Sequence, residues 1–362
     1  MNYADSMAVG TTTVADPGPP GSPSFFINGV QDRLAAIVGG EARLERGAAR
    51  LMLASGAKRA RAHVCRSLAS AFDIRPELAR ELAVVVELIH GASLLHDDVV
   101  DRSDRRRGLP TVNATEGNAF AVLCGDLVLA KALSLLASVP GGAVMVGDAL
   151  NVIERMTRAA VIEVEVRLVL PPPDLAIAVW RDMAIGKTGA LFGLCATLVA
   201  RAAGVDDGER DSMRRSLESV GLAFQLVDDL ADVTGADPGK PRGQDLREHA
   251  LNHTVLQAMA VDDDIAGDVA SFWQARGHPD VVVDDDACIS LCDAVVRAGA
   301  RRTVDEARVA VHDGAGSHVA LEREVLPWAR RFVEASTRHV QTHDQWPGGL
   351  DEGQPASVNT AS

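Results

Sequence analysis

Apolar residues recur at positions i, i+3, i+4 and i+7 in nearly every long segment between about residues 25 and 341. This spacing places one apolar stripe along each α-helix. No stretch shows a sustained alternation of apolar and polar residues, which is the pattern of a half-buried strand. The sequence therefore predicts an all-α protein of about a dozen helices.

Gly- and Pro-containing breaks divide the pattern near Val139, Leu170, Thr234 and Arg276. None is long enough to be an interdomain linker, so we expect one domain over residues 25–341. Residues 1–24 are rich in Gly, Pro, Ser and Thr, and residues 342–362 are polar with Gly and Pro. Both ends are predicted to be disordered tails.

Composition narrows the possible functions. A hydrophobic content of 47% is ample for a core, and the net charge of −14 argues against nucleic acid, which demands a broad basic surface. The five cysteines lack a Cys-x-x-Cys pair and lie mostly in apolar stretches, which predicts reduced, buried thiols and a cytoplasmic protein.

No membrane span is expected from the sequence. Asp126 and Lys131 interrupt the apolar stretch at 119–136, and Arg201 closes the one that begins at residue 190. No basic region precedes an apolar core near the N-terminus, so no signal peptide is evident.

Two aspartate triplets repeat one spacing. They are Asp97, Asp98 and Asp101, and Asp228, Asp229 and Asp232. Positions i and i+4 lie on one side of a helix, so each triplet predicts an acidic helix face. Crowded carboxylates repel each other, and a divalent ion with oxygen ligands relieves the repulsion.

The pair of triplets predicts a Mg²⁺ site for a phosphorylated substrate, because Mg²⁺ binds one or two carboxylates and completes its shell with water and phosphate. The alternative is two solvated acidic faces, the usual meaning of one isolated triplet. Two copies within apolar segments favour the metal site.

Only four of the 36 basic residues are lysines. Three of them, Lys58, Lys187 and Lys240, lie in Gly-containing segments. Lysine offers a compact charge that suits phosphate, so these three are candidate phosphate ligands. Gln225 shares the face of the second triplet, and His90 lies two turns before Asp97. His90 could donate to a diphosphate, and a structural role is an equal alternative.

A basic run, Arg-Ser-Asp-Arg-Arg-Arg, follows the first triplet and ends at Gly108, so its guanidiniums can fold back onto phosphate. The segment from Glu87 to Thr111 resembles the first aspartate-rich motif of trans-polyprenyl diphosphate synthases. Gly186-Lys-Thr-Gly-Ala-Leu-Phe is similar to their Lys-Thr motif. The second aspartate-rich motif is similar to Phe224-Gln-Leu-Val-Asp-Asp-Leu-Ala-Asp-Val-Thr-Gly with the following Gly-Lys-Pro-Arg-Gly-Gln-Asp-Leu.

The likeness runs from about Ile27 to Val340 and implies an isoprenoid synthase fold, a single-domain helical bundle around a central cavity, and a homodimer. It also implies residue roles. The Mg²⁺ ligands would be Asp97, Asp101 and Asp228, with Asp98, Asp229 and Asp232 completing the acidic, catalytic lining. The allylic diphosphate would be bound by Arg106, Lys187, Thr188, Gln225 and Lys240. Isopentenyl diphosphate would be bound by Lys58, Arg61, His90 and Arg107.

The implied reaction is ionisation of the allylic diphosphate followed by alkylation of isopentenyl diphosphate, with the departing diphosphate stabilised by Mg²⁺ and nearby cations. Ala92 and Ser93 lie one helical turn before Asp97, where short-chain members of the family tend to carry bulky aromatics. These small residues form a chain-length gate, which predicts a product of C20 (geranylgeranyl) or longer.

The chain departs from the family pattern at several positions. Ala57 and Ala62 replace a Gly and a Pro, Ile162 replaces the Gly before Glu163, and Ala250 stands where a lysine commonly touches the allylic diphosphate. These changes leave open a terpene cyclase that ionises a prenyl diphosphate without elongation. A regulatory subunit of an active synthase is a third possibility. The predicted isopentenyl site argues against the cyclase, and retention of all six aspartates argues against the subunit.

Overall fold

The computed structural model describes residue 19 and residues 22–341, except residues 41, 55–58, 107, 170, 237–240, 277–284 and 315–317. The described part contains fifteen α-helices, and its two strands are two residues each, so the all-α prediction is confirmed. The first helix begins at Pro23, two residues before the predicted domain start. The predicted tail at 342–362, and most of the one at 1–24, lie outside the described residues.

The first eight helices are α1 (Pro23–Val38), α2 (Arg43–Met52), α3 (Ala60–Ala71), α4 (Pro76–Val100), α5 (Val112–Glu116), α6 (Asn118–Ser138), α7 (Gly142–Leu168) and α8 (Pro173–Ala184). A hairpin of β1 (Arg105–Arg106) and β2 (Leu109–Pro110) lies between α4 and α5. The strands follow the first aspartate triplet directly, so they turn the basic run back toward α4.

The remaining helices are α9 (Ala190–Ala202), α10 (Asp207–Thr234), α11 (Gln244–Arg247), α12 (His253–Met259), α13 (Asp263–Arg276), α14 (Asp285–Asp313) and α15 (Leu326–Gln341). π-helical turns at Ile185–Gly189 and Leu321–Val325 precede α9 and α15. The described helices outnumber the predicted dozen because α5, α11 and α12 are too short to show a periodic pattern.

Local sequence sets the ends of the two long helices that carry the triplets. Pro76 opens α4, where its missing N–H leaves no hydrogen bond unmade. Asp206 caps α10 by accepting from the backbone N–H groups of Gly208 and Glu209. Gly235 ends α10 with φ of 73°, a conformation that glycine adopts readily. The four predicted breaks coincide with the ends of α6, α7, α10 and α13, which confirms them.

The main core surrounds α4, which packs against α3, α6 and α9, while α10 packs against α9 and α14. A smaller apolar cluster lies among α10, α12, α13 and α14, around Leu230 and Trp273. All five cysteines are free and buried, as the sequence predicts. Both aspartate triplets therefore lie on helices that the core holds from several sides.

Two helical stretches, Asn118–Ser138 and Leu175–Ala202, are long and apolar enough to cross a bilayer by composition alone. Composition alone therefore does not exclude a span in either stretch, and the burial of each stretch has to be considered. Most of the second stretch is core, since 78% of its most apolar window is buried, against 33% for the first. Lys131 of the first stretch donates to the carbonyl of Ile37 at 2.8 Å, so its charge is fixed by α1. A membrane span is not supported.

Candidate active site

The first triplet lies at the C-terminal end of α4, where Asp101 forms the last cap of the helix. Asp97 and Asp101 are each about one-fifth exposed and lie on the same side of the end of α4. Burial raises the pKa of Asp97, and the charges of Asp101 and Glu163 add to the effect against the opposing charge of Lys187. The predicted crowding of carboxylates on this helix face is therefore present in the structure.

Two cations, Lys187 and Arg167 of α7, neutralise part of this charge. The Nζ of Lys187 donates to Oε2 of Glu163 at 2.6 Å and lies 3.5 Å from Oδ1 of Asp97. Arg167 donates from Nη1 to Asp101 at 2.8 Å and from Nη2 to Glu163 at 2.9 Å. Burial opposes ionisation of Glu163, yet these two cations hold its pKa below the ordinary value.

In the π-helical turn Ile185–Gly189, two neighbouring side chains contact residues of different helices. Lys187 reaches the acids of α4 and α7, while Thr188 donates to Oε1 of Gln225 on α10 at 2.8 Å. A π-helical turn inserts one extra residue into a helix and often marks a functional site. Here the insertion bridges the two acidic helices, so the predicted allylic-site residues Lys187, Thr188 and Gln225 lie together.

Close contact between backbones makes this bridge possible. A methyl group at Gly189 would lie 2.9 Å from the carbonyl oxygen of Glu218, and one at Gly221 would lie 2.6 Å from the Cα of Gly189. Only glycine leaves room at both positions. The Lys-Thr segment therefore packs directly on the backbone of α10.

The second triplet divides into one exposed and two buried acids. Asp228 is exposed, whereas the Asp229 side chain accepts from the indole of Trp180 at 2.8 Å, the N–H of His253 at 2.7 Å and the amide of Gln225 at 2.8 Å. Burial, with the charges of Asp245 and Asp228, raises the pKa of Asp229. Asp229 thus joins α10 to α8 and α12.

Asp98 and Asp232 also make contacts within the fold. Asp98, 1% exposed, accepts from Nε of Arg106 at 2.7 Å, so this arginine of the basic run folds back onto α4. Asp232 accepts from the backbone N–H groups of Gln244 and Asp245 at 3.0 and 3.3 Å. Like Asp229, these two acids therefore have partners within the fold. The catalytic roles of the three acids and of Arg106 stay predictions.

Arg61 interacts electrostatically with acids of both α4 and α10. Burial lowers its pKa, against the attraction of Glu87 on α4 and Asp228 on α10. Its guanidinium carbon lies 5.1 Å from the ring centre of Phe192, and its Nε–H is buried with no hydrogen-bond partner among the described residues. An incoming phosphate would supply that acceptor.

The remaining predicted residues fall into two groups. His90 is half-buried on α4, Ala92 is buried, and the hydroxyl of half-buried Ser93 donates to the carbonyl of His90 at 2.8 Å. Lys58, Arg107 and Lys240 lie outside the described residues. Two of the four predicted isopentenyl diphosphate ligands and one of the three candidate lysines therefore have a described position.

Sequence reasoning missed the roles of Arg167 and Glu248. Arg167 pairs with an acid 66 positions away, and burial raises the pKa of Glu248 with help from Asp101 and Asp245. Glu248 thereby links the end of α4 to the segment after α10. The available signal was the run Glu-Val-Glu-Val-Arg at 163–167, which places charges in an otherwise apolar part of α7.

The donor set suits a hard cation. Four carboxylates, from Asp97, Asp101, Glu163 and Glu248, interact with two cations, Lys187 and Arg167, which leaves a formal surplus of two negative charges (four minus two). One divalent ion with oxygen ligands matches that surplus. Among the described residues, no three acidic, imidazole or thiol side chains are gathered to hold a metal by themselves. A divalent ion at this point would need further oxygen ligands, such as those of a phosphorylated substrate.

Comparison with known proteins agrees with this geometry. A family model described as Polyprenyl synthetase matches residues 43–276, and the chain belongs to that family. It is 35% identical over 200 residues to a geranylgeranyl diphosphate synthase of Mycobacterium tuberculosis, covering 54% of this chain and 57% of the relative. The chain thus spans less than two thirds of that relative. Over 238 residues it is 33% identical to an all-trans-nonaprenyl-diphosphate synthase of Rhodobacter capsulatus, covering 65% and 69%.

Solved structures share the whole fold. A polyprenyl synthase of Caulobacter crescentus, complexed with calcium and isoprenyl diphosphate, is 26% identical with a TM-score of 0.72, covering 87% of this chain and 94% of that one. A geranylgeranyl pyrophosphate synthetase of Pyrococcus horikoshii is 26% identical with a TM-score of 0.70, covering 87% and 95%. The all-α isoprenoid synthase fold is therefore confirmed.

Proposed function

We propose that this protein is a Mg²⁺-dependent prenyltransferase. It condenses isopentenyl diphosphate with an allylic diphosphate and forms an all-trans polyprenyl diphosphate of C20 or longer. The observation that carries the proposal is the bridge at Lys187 and Thr188, which joins the carboxylates of α4 to the amide of α10. Relatives named as farnesyl, geranylgeranyl, octaprenyl and nonaprenyl diphosphate synthases support the reaction class and leave a range of product lengths.

The chain's own residues divide the work of this reaction. Asp97, Asp101 and Asp228 would hold Mg²⁺, which when bound neutralises the departing diphosphate and so lowers the barrier to ionisation. Lys187 pairs with Asp97 and Glu163 and would donate to diphosphate oxygens. Arg61 donates its unpartnered Nε–H to the second substrate, isopentenyl diphosphate.

Apolar helix walls protect the reactive cation. Near the first triplet, α4 and α6 contribute to the buried apolar core Ala92, Leu95, Ala121, Cys124 and Val128, which include no strong nucleophile at neutral pH apart from one thiol. Burial raises the pKa of the Cys124 thiol, which keeps it in its weakly nucleophilic neutral form. Water exclusion by such walls preserves the carbocation until the double bond of isopentenyl diphosphate attacks.

Incubation of the purified protein with farnesyl diphosphate and Mg²⁺, with and without isopentenyl diphosphate, tests the proposal. We expect products longer by five-carbon units only when isopentenyl diphosphate is present, and extraction with chromatography reads them directly. A hydrocarbon or alcohol formed without isopentenyl diphosphate would instead establish the terpene cyclase. Strong activation of a partner synthase by a chain inactive alone would establish the regulatory subunit.

We also propose that the protein is a homodimer. The outer faces of α6 and α7 expose large apolar side chains, a feature that monomers rarely show over a wide patch. They are Val122, Leu123, Val144, Leu150, Val161, Ile162, Val164 and Leu168. Light scattering of the Leu123→Glu and Leu150→Glu double variant should give the mass of one chain, against two for the parent. Val309→Glu on α14, where Val309 is similarly exposed, should stay dimeric.

A further inference from the structure

We propose that Arg167 binds the diphosphate group of the allylic substrate, an inference that rests on the proposed function. Arg167 lies near the C-terminal end of α7, and its side chain is 16% exposed. Its two Nη groups contact acids of two different helices, Asp101 of α4 and Glu163 of α7. The guanidinium therefore lies within the charged site beside Asp101.

The third nitrogen of this guanidinium, Nε, has no acceptor in the part of the chain that the structure describes. The Nε–H of Arg167 is buried and makes no hydrogen bond among the described residues. A buried N–H without a partner is uncommon in folded proteins and usually indicates an acceptor that comes from outside. Phosphate oxygens match the fork of a guanidinium, because two parallel N–H donors can reach two oxygens at once.

Arg167 also lies near the position where the family pattern is broken. Ala250 is buried and stands where a lysine commonly touches the allylic diphosphate. Two residues earlier, Glu248 experiences the charges of Asp101 and Arg167. Its neighbour His249 takes φ of 57°, so the backbone keeps the left-handed turn that glycine favours at this point. The backbone of the segment thus keeps its turn without the lysine, and Arg167 of α7 brings a positive charge close enough to act on Glu248.

Another arginine of α7 shows what an arginine with a purely structural ion pair looks like. Arg158 pairs with Glu154 one turn away, and these two side chains are 75% and 61% exposed. That pair is an ordinary surface ion pair of small energetic effect. Arg167 differs because it crosses between helices, is largely buried and keeps one donor unused. These differences are those of a ligand-binding arginine.

Titration calorimetry with inorganic pyrophosphate in the presence of Mg²⁺ tests the inference. We expect Arg167→Gln to weaken pyrophosphate binding about 10- to 100-fold, the loss of charge-assisted hydrogen bonds to one anion. Arg158→Gln should bind pyrophosphate as the parent does. Arg167→Lys keeps the charge without the Nε donor and should recover part of the affinity, which also guards against a folding defect in the glutamine variant.

Kinetic constants locate the effect. Arg167→Gln should raise the KM for the allylic diphosphate and leave the KM for isopentenyl diphosphate unchanged. Unchanged or tighter pyrophosphate binding in Arg167→Gln would overturn the inference and leave Arg167 as an internal counter-ion of Asp101. If that happened while the parent still elongated farnesyl diphosphate, the proposed function would stand without it. A parent that neither binds pyrophosphate nor elongates would overturn both.

Discussion

A methyl group on Gly221 of α10 would lie 2.6 Å from the Cα of Gly189 in the π-helical turn, so these two backbones touch. The contact sets the distance between the Lys-Thr segment and α10. It thereby determines which side chains Lys187 and Thr188 can contact. Substitution at this point tests whether the bridge between the two acidic helices depends on close backbone packing.

Gly221→Ala should destabilise the protein by about 1–3 kcal/mol, the usual effect of overpacking a core, and should lower turnover because Thr188 moves away from Gln225. Urea unfolding and the elongation assay measure the two effects. Gly267→Ala is the matched control, because Gly267 is exposed on α13 and an added methyl meets nothing within 4 Å. This control should gain up to about 1 kcal/mol from helix propensity. Equal behaviour of the two variants would contradict the packing argument.

Substitution of the two neighbouring aspartates of the second triplet should change stability to very different extents. Asp229→Ala leaves three donors without their acceptor, those of Trp180, Gln225 and the His253 backbone, at about 1–3 kcal/mol for each buried group. Asp228→Ala changes an exposed side chain and should alter the free energy of unfolding by at most about 0.5 kcal/mol. Urea unfolding of both variants measures this. A stable Asp229→Ala variant would show that its contacts contribute little.

Removal of a proposed metal ligand should affect turnover without affecting the fold. Asp97→Asn and Asp228→Asn are each expected to lower turnover about 10²- to 10³-fold, the loss seen when one electrostatic contact to a developing charge is removed. Circular dichroism should be unchanged. Asp104→Asn, in the exposed loop after α4, is the control with parental turnover. Near-normal rates in either ligand variant would place the metal elsewhere.

Product length should depend on the gate one turn before Asp97. Ser93→Phe and Ala92→Phe are both expected to shorten the product, because an aromatic ring blocks growth of the chain past α4. Ala92 is buried in the core, so its variant should also lose about 1–3 kcal/mol of stability. Half-buried Ser93 should tolerate the change better. Chromatography of the products measures length, and an unchanged distribution in both variants would remove this account.

A pH-dependent contribution to stability is expected from Glu306 on α14. The hydrogen bond with His253, aided by Arg181 and opposed by burial, lowers the pKa of Glu306. A carboxylate whose pKa is lower in the folded state stabilises the fold above its unfolded pKa of about 4.3 and loses this effect as the pH falls through the folded pKa.

Urea unfolding between pH 3 and 7 should therefore show a stability advantage of the parent over Glu306→Gln that is constant above about pH 4.3 and shrinks below it. Glu334→Gln, at an exposed position of α15, provides the control with little difference at any pH. An advantage that grows toward acid pH would reverse the sign of the argument.

The sequence predicted the two acidic helices and most of their neighbours for a physical reason. Aspartates four residues apart must share a helix face. The Lys-Thr motif and the motif that contains Gln225 are short, so they can be recognised directly in the sequence. The ends of α6, α7, α10 and α13 were predictable because Gly and Pro act on the nearest residues.

Other features depend on tertiary contacts that spacing does not encode. Asp228 and Asp229 are adjacent in an apolar helix, so the sequence could not show that one is exposed and the other is bound by Trp180. The π-helical turn spans only five residues, too few for a periodic pattern to distinguish it from the α-helices on either side. The pairing of Arg167 with Asp101 joins positions 66 residues apart and needs the packed bundle.

The three partners of Asp229 also separate the site into a fixed half and an adjustable half. Trp180, Gln225 and His253 belong to three helices, so the acidic end of α10 cannot shift without moving all of them. On the opposite side, single ion pairs connect Asp97 and Asp101 to flexible cationic side chains that can exchange partners. If the site closes around a substrate, we expect the acidic end of α10 to stay in place and the ends of α4 and α7 to move.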